Sequence, residues 1–141
     1  MRGVHPILSH SIMLIIGLGA MAMIIASVSS TLSDTERDLL DSQMEFVTET
    51  MRSDMLKIYS TMQGNGNFSG MFLLRLPEKI GDQRYTMLLS NSTIKIMLPF
   101  ENQMLEFERP VDINVSMSGE KMMPASLFVT KIGDTITMDL V

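Results

Sequence analysis

Few side chains in this sequence could take part in catalysis. The chain has no Cys, and its two histidines, His5 and His10, both stand near the N terminus. A Ser nucleophile elsewhere would therefore lack a His base, and thiolate nucleophiles and Cys-ligated metals are excluded. His5 and His10 could form part of a metal site. The favoured interpretation is a pair of neutral imidazoles at the start of an apolar segment.

Carboxylates are the other candidate catalytic groups, because a pair of them can hydrolyse glycosides. Glu106 and Glu108 stand on either side of Phe107. Alternate residues share one face of a strand, so this spacing favours solvated charges at a sheet edge. The sequence has no phosphate-binding loop, nucleophile elbow or EF-hand spacing. We therefore expect no enzyme activity, no catalytic residue, no cofactor and no metal.

Three of the five asparagines stand in the sequon Asn-x-Ser/Thr, namely Asn67, Asn91 and Asn114. Chance predicts roughly one sequon in a chain with this Ser and Thr content. The excess indicates an exported and glycosylated surface. The formal net charge is -5, and no basic patch is present, so nucleic acid is not an expected partner.

An uncharged N-terminal segment determines where such a surface would lie. No Asp, Glu, Lys or Arg occurs from Gly3 to Ser33. The run Ile7 to Val28 would span about 30 Å as a helix, the thickness of a bilayer core, whereas a signal peptide has an apolar core of only about 7 to 15 residues. The length predicts a transmembrane helix, and cleavage of a secretory signal near residues 26–29 stays an alternative. Arg2 precedes the run, which favours a C-terminal region outside the cell.

The helical pattern continues beyond the apolar run. Apolar residues recur at steps of three and four at Leu40, Met44, Val47, Met51, Met55, Ile58 and Met62. No proline occurs between Pro6 and Pro77, so we predict one helix of about 55 residues. Ser33 and Glu36 have the spacing of a capping box, which leaves a second helix start as an alternative.

Two sets of residues on this helix are predicted to mediate packing. Ala22, Ala26 and Ser30 recur every four residues and would let another helix approach closely. The apolar stripe that includes Met44, Val47, Met51, Met55, Ile58 and Met62 is too large to remain in water. We expect the following domain to cover part of the stripe and neighbouring subunits to cover the rest.

The remainder of the chain is predicted to be β structure. The glycine-rich stretch Gly64 to Gly70 ends the helical pattern, and apolar residues then alternate with polar ones. About seven short strands predict a small antiparallel sandwich or barrel, hence an α+β fold. Residues 131–135 are typical of a tight hairpin turn. The predicted regions are a leader over 1–3, a transmembrane part over 4–33, an amphipathic continuation over 34–63 and a β domain over 64–141.

The first residues resemble a known family. The start Arg2-Gly3-Val4-His5-Pro6-Ile7-Leu8 is similar to the Arg-Gly or Arg-Ala, then Val-x-Pro-Ile/Val, opening of archaeal type IV pilin-like proteins with class III signal peptides. The resemblance implies cleavage by a prepilin peptidase between Gly3 and Val4. It also implies assembly with other pilin-like subunits.

Two functions are therefore expected from the sequence. The first is a structural subunit, a pilin or minor pilin, of an archaeal pilus-like surface filament or of its assembly platform. The alternative is a membrane-anchored extracellular β interaction module that does not polymerise, such as an archaellum stator-like accessory protein. Either would sit at the cell surface, with a surface layer or an adhesion target as a further partner.

Overall fold

A computed structural model describes residues 4–64 and 66–141, with side chains from Ser11 onward. The cleavage predicted between Gly3 and Val4 falls at the edge of this range: Gly3 lies outside the described residues, as do the side chains of Val4, His5 and His10. The chain divides into two compact units, Met1–Leu39 and Leu40–Val141.

The first element is a single 60-residue helix, α1, which runs from Val4 to Gln63. It passes through Ser33 without interruption, so the capping-box spacing does not start a second helix. No glycine or proline stands between Gly19 and Gly64 to break it. Hydroxyl groups near the end of the uncharged run are satisfied within the helix, since Thr31 and Thr35 donate to the carbonyl oxygens four residues earlier.

Within the first unit, α1 is apolar and exposed from Ser11 to Leu32. From Ser11 to Leu32 every side chain is exposed, and the most apolar window of 18 residues has a mean hydropathy of 2.4. The helix is long and apolar enough to cross a membrane. A long apolar N-terminal helix of this kind is consistent with membrane anchoring.

The second unit contains eight β-strands in two four-stranded sheets. The strands are β1 (Phe68–Leu73), β2 (Thr86–Ser90), β3 (Thr93–Phe100), β4 (Gln103–Pro110), β5 (Ser116–Ser118), β6 (Glu120–Met122), β7 (Ser126–Ile132) and β8 (Thr135–Leu140). The first sheet has the order β1-β7-β8-β5, and the second has the order β4-β3-β2-β6. All neighbours pair antiparallel except β5 and β8, which are parallel.

The C-terminal part of α1 belongs to the core of this second unit. Met44, Met51 and Met55 are completely buried, and they join one apolar cluster with inward-facing residues of both sheets. Ile96 on β3 and Val129 on β7 are examples. The sheets therefore share a core that their own helix completes.

The predicted α+β fold, a long N-terminal helix followed by a small β domain, is confirmed. Eight strands are present where about seven were predicted, and one pair is parallel. The hairpin predicted over residues 131–135 joins β7 to β8, with Ile132 paired to Thr135. Gly133 in this turn has a φ of 61°, which glycine adopts without strain.

Candidate interaction surfaces

The methionine-rich stripe is covered within one chain. Met44, Met51 and Met55 have no exposed surface, Val47 and Met62 are almost as deeply buried, and Ile58 is half-buried against the same cluster. The β domain therefore covers the stripe as expected. The expectation that neighbouring subunits cover its remainder is wrong for the five buried residues, because nothing of them is left to cover.

The helix has an exposed side within the second unit as well. Phe46 directly precedes the buried Val47, yet Phe46 itself is 69% exposed. Leu56 on the same helix is 38% exposed. An exposed Phe contributes a large apolar area without any compensating contact in the chain. Phe46 is thus the part of this helix segment best placed to contact another molecule.

The small residues Ala22, Ala26 and Ser30 are all exposed. They lie in the apolar part of α1, where Ile24, Ile25 and other large side chains are exposed too. Their spacing of four places them on one face of the helix. The face is open to a second helix, and their role in packing stays a prediction.

An ion-pair network links α1 to β4 and to the segment that follows it. The guanidinium of Arg109 lies 2.8 Å from Glu45 and 3.9 Å from Glu49. Arg52 lies 3.4 Å from Glu49 and 3.5 Å from Asp112. Exposed pairs of this kind contribute about 0–1 kcal/mol each, and two arginines here face three carboxylates, so most of the charge is neutralised. The network therefore adds a weak contact between the helix and the second sheet, whose main link is the shared apolar core, and it leaves little net charge to bind a ligand.

The carboxylate pair considered for glycoside hydrolysis is also engaged. Glu106 accepts a hydrogen bond from Lys95 on the neighbouring strand, with 2.7 Å between nitrogen and oxygen. The hydrogen bond that Lys95 donates to Glu106 raises the pKa of Lys95 above its usual value. Glu106 and Glu108 are both exposed on β4. This arrangement agrees with their interpretation as solvated edge charges.

One buried cation was missed by the sequence analysis. Lys131 on β7 is only 8% exposed, and its Nζ donates to the carbonyl oxygens of Met62 at 2.6 Å and Gln63 at 3.5 Å. The last turn of α1 has no basic residue of its own. Lys131 therefore supplies the positive charge that the end of a helix favours. Its burial could have been predicted from the sequence, because Lys131 alternates with Leu127 and Val129 and so lies on the core face of the strand.

The connection between β1 and β2 is held against the helix. The Tyr85 hydroxyl donates to the carbonyl oxygen of Pro77 at 2.7 Å, and the Gly81 amide donates to Gln43 Oε1 at 2.9 Å. Burial raises the pKa of Tyr85 above its usual value. A Cβ at Gly81 would lie 2.9 Å from Cδ2 of Leu40, and its φ of 58° also favours glycine.

The three sequon asparagines are exposed at separate places on the second unit. Asn91 occupies the turn between β2 and β3 with a φ of 45°. Asn114 lies in the segment between β4 and β5. Asn67 precedes β1, and its Oδ1 accepts a hydrogen bond from the Gly133 amide at 3.0 Å. A glycan is attached through Nδ2, so this hydrogen bond does not use the atom that a glycan needs.

No group of three or more His, Cys, Asp or Glu side chains that could hold a metal ion occurs among the described residues. Comparison with known proteins gives no identification, since no protein-family model, no curated protein and no solved structure matches the chain. The surfaces described above are therefore the basis on which a function can be argued.

Proposed function

We propose that this protein is a structural subunit, a pilin or minor pilin, of an archaeal type IV pilus-like surface filament or of its assembly platform. In this proposal the apolar part of α1 is first held in the membrane. It later packs against the helices of other pilin-like subunits. The β domain lies outside the cell, where it is glycosylated and contacts a surface layer or an adhesion target.

One observation carries the proposal: a single helix is apolar and exposed over its N-terminal part and forms a domain core over its C-terminal part. An exposed apolar stretch of this length needs a bilayer or other helices around it. The Arg2-Gly3 pair at its start resembles the site that a prepilin peptidase cuts. Removal of residues 1–3 would leave the helix on the mature protein, as filament assembly requires.

Burial of the methionine-rich stripe favours a second candidate function. Because the β domain covers Met44, Met51 and Met55 by itself, these residues need no neighbouring subunit to bury them. Such a domain could act alone as a membrane-anchored extracellular interaction module that never polymerises. The two functions differ in whether the apolar helix leaves the lipid.

Isolation of surface filaments from the native cells separates the two. For a filament subunit, we expect the chain in the sheared filament fraction, with Val4 as its first residue by N-terminal sequencing. Recovery only from the membrane fraction, with processing at Gly3, would favour the assembly platform. Recovery only from the membrane with Met1 retained would contradict the pilin-like proposal and support the anchored module.

A further inference from the structure

The four strands at the edges of the two sheets differ in how well they are protected from pairing with another chain. Edge strands in natural proteins are commonly short, charged or interrupted by proline. β5 and β6 have three residues each, and β4 carries Glu106, Glu108 and Pro110. β1 has six residues, with neither charge nor proline from Phe68 to Leu73. β1 is therefore the one edge that lacks these protections.

The side chains of β1 divide between two faces. Phe68, Gly70 and Phe72 are paired with Lys131, Val129 and Leu127, which are buried. Met71 and Leu73 point to the opposite face, where they are 64% and 82% exposed. Among the described residues, only β7 forms backbone ladder pairs with β1. The free edge of β1 thus presents backbone groups beside exposed apolar side chains.

The order of residues along β1 is complementary to itself in the antiparallel direction. Ser69 and Gly70 are small, Met71 stands at the centre, and Phe72 and Leu73 are large. A two-fold axis through Met71 would place Ser69 opposite Leu73 and Gly70 opposite Phe72 of a second copy. Side chains directly opposite one another point to the same face of a sheet. In this register, therefore, the exposed faces of the two copies lie on the same side of the joined sheet.

Two further features fit a second copy. A Cβ at Gly70 would lie 2.5 Å from Cζ of Phe68, so the Phe68 ring extends over Gly70, and Phe72 of the second copy would pack beside it. The pairing also brings no like charges together, because the chain carries no charged residue from Gly64 to Leu74. Elsewhere a net charge of -5 disfavours contact between copies.

We infer that β1 is a homotypic contact site, at which two copies of this chain pair edge to edge about Met71 and join their first sheets into one. The contact is small, in the range of weak or transient interfaces. Covalent crosslinking is therefore a better test of it than a measurement of the dimer population at equilibrium. The inference does not depend on the proposed function. Filament isolation tests the contacts of the helix, whereas the experiment below tests only β1.

Cysteine crosslinking of the full chain in detergent micelles tests this inference, because the natural sequence has no Cys. Opposite residues in antiparallel strands have Cα atoms about 4.5–5.5 Å apart, within the range that a disulfide spans. We expect Met71→Cys to form, on mild oxidation, a reducible dimer of twice the 15.8 kDa chain mass. Met104→Cys on the charged edge β4 is the matched control, since Met104 is 56% exposed, and it should stay largely monomeric.

The register is tested by mixing two variants. Ser69→Cys and Leu73→Cys should crosslink with each other faster than either crosslinks with itself. Circular dichroism spectra like that of the unmodified protein would show that the exposed substitutions leave the fold intact. Equal dimer yields from Met71→Cys and Met104→Cys, or no Met71→Cys dimer, would overturn the inference. Faster self-crosslinking of Leu73→Cys than of the mixture would overturn the register about Met71.

Discussion

The ammonium group of Lys131 lies 2.6 Å from the carbonyl oxygen of Met62 and so joins β7 to the end of α1. The two residues are 69 positions apart, and the contact is buried. It satisfies a carbonyl that the helix itself cannot pair. The same lysine also places a positive charge at the negative end of the helix dipole.

We predict that Lys131→Met destabilises the protein by about 1–3 kcal/mol, because the carbonyl oxygens at the helix end lose a buried donor. Chemical denaturation followed by circular dichroism would measure the change in the free energy of unfolding. Lys121→Met is the matched control, since Lys121 is exposed on β6, and it should change that free energy little. Equal effects of the two substitutions would show that the Lys131 contact contributes nothing.

Replacing Met51 by Asp tests the core. Met51 is completely buried in the second unit, and an unpaired carboxylate there costs several kcal/mol. We expect Met51→Asp to abolish cooperative unfolding of the β domain, whereas Met51→Leu, which conserves volume, costs under about 1.5 kcal/mol. Loss of filaments in Met51→Asp would therefore report misfolding and not a lost assembly contact. A normally folded Met51→Asp protein would contradict the burial.

Stability should fall at alkaline pH because of Tyr85. Its pKa is raised in the folded state by burial, so the stabilisation is fully present below the unfolded value of about 10 and is lost as the pH rises above it. Tyr85→Phe cannot ionise and should show a smaller loss of stability between about pH 9 and 11, despite losing the hydrogen bond to Pro77. Unfolding curves of both proteins across this range would measure it. Parallel pH profiles would contradict the assignment to Tyr85.

If the β domain lies outside the cell, at least one of Asn67, Asn91 and Asn114 should carry a glycan. All three side chains are exposed, so attachment requires no unfolding of a strand. Glycopeptide mass spectrometry of native protein would locate the glycans, and Asn→Gln at an occupied site should remove the corresponding mass. Asn102 is exposed but stands outside any sequon, so it is a matched negative control. Three unmodified sequons would remove this support for an exported domain.

The sequence predicted the elements whose pattern is local. Spacing of three and four from Leu40 to Met62 identified the buried face of α1, and alternation identified the longer strands. β6 was missed because its three residues are all exposed and show no alternation. The parallel pairing of β5 with β8 was missed because Ser116 pairs with Thr137, a contact between distant segments that no local pattern encodes.

For the candidate interaction surfaces, too, local sequence patterns were predictive and contacts between distant segments were not. The stripe could be predicted to be buried, but what covers it depends on how the sheets fold over the helix, so the assignment to neighbouring subunits was wrong for its five buried residues. Exposure of Phe46 was not expected, since an apolar residue next to Val47 gives no sign that it faces away from the core. Lys131 carried a usable signal, because its position on the core face follows from the alternation in β7.

The last prediction concerns Phe46, an exposed residue of α1 whose replacement tests assembly without altering the core. Its side chain is 69% exposed on α1, so Phe46→Glu should leave the core and the free energy of unfolding nearly unchanged. If α1 packs against other subunits in a filament, a carboxylate at this position would be desolvated without a partner, and filaments should be lost while the protein stays in the membrane.

Met104→Glu, at similar exposure on β4, is the control that should keep filaments. Electron microscopy of sheared filaments and blotting of membrane fractions would measure both outcomes. Normal filaments from Phe46→Glu would contradict an assembly contact at Phe46, because a contact there would have to bury the unpaired carboxylate.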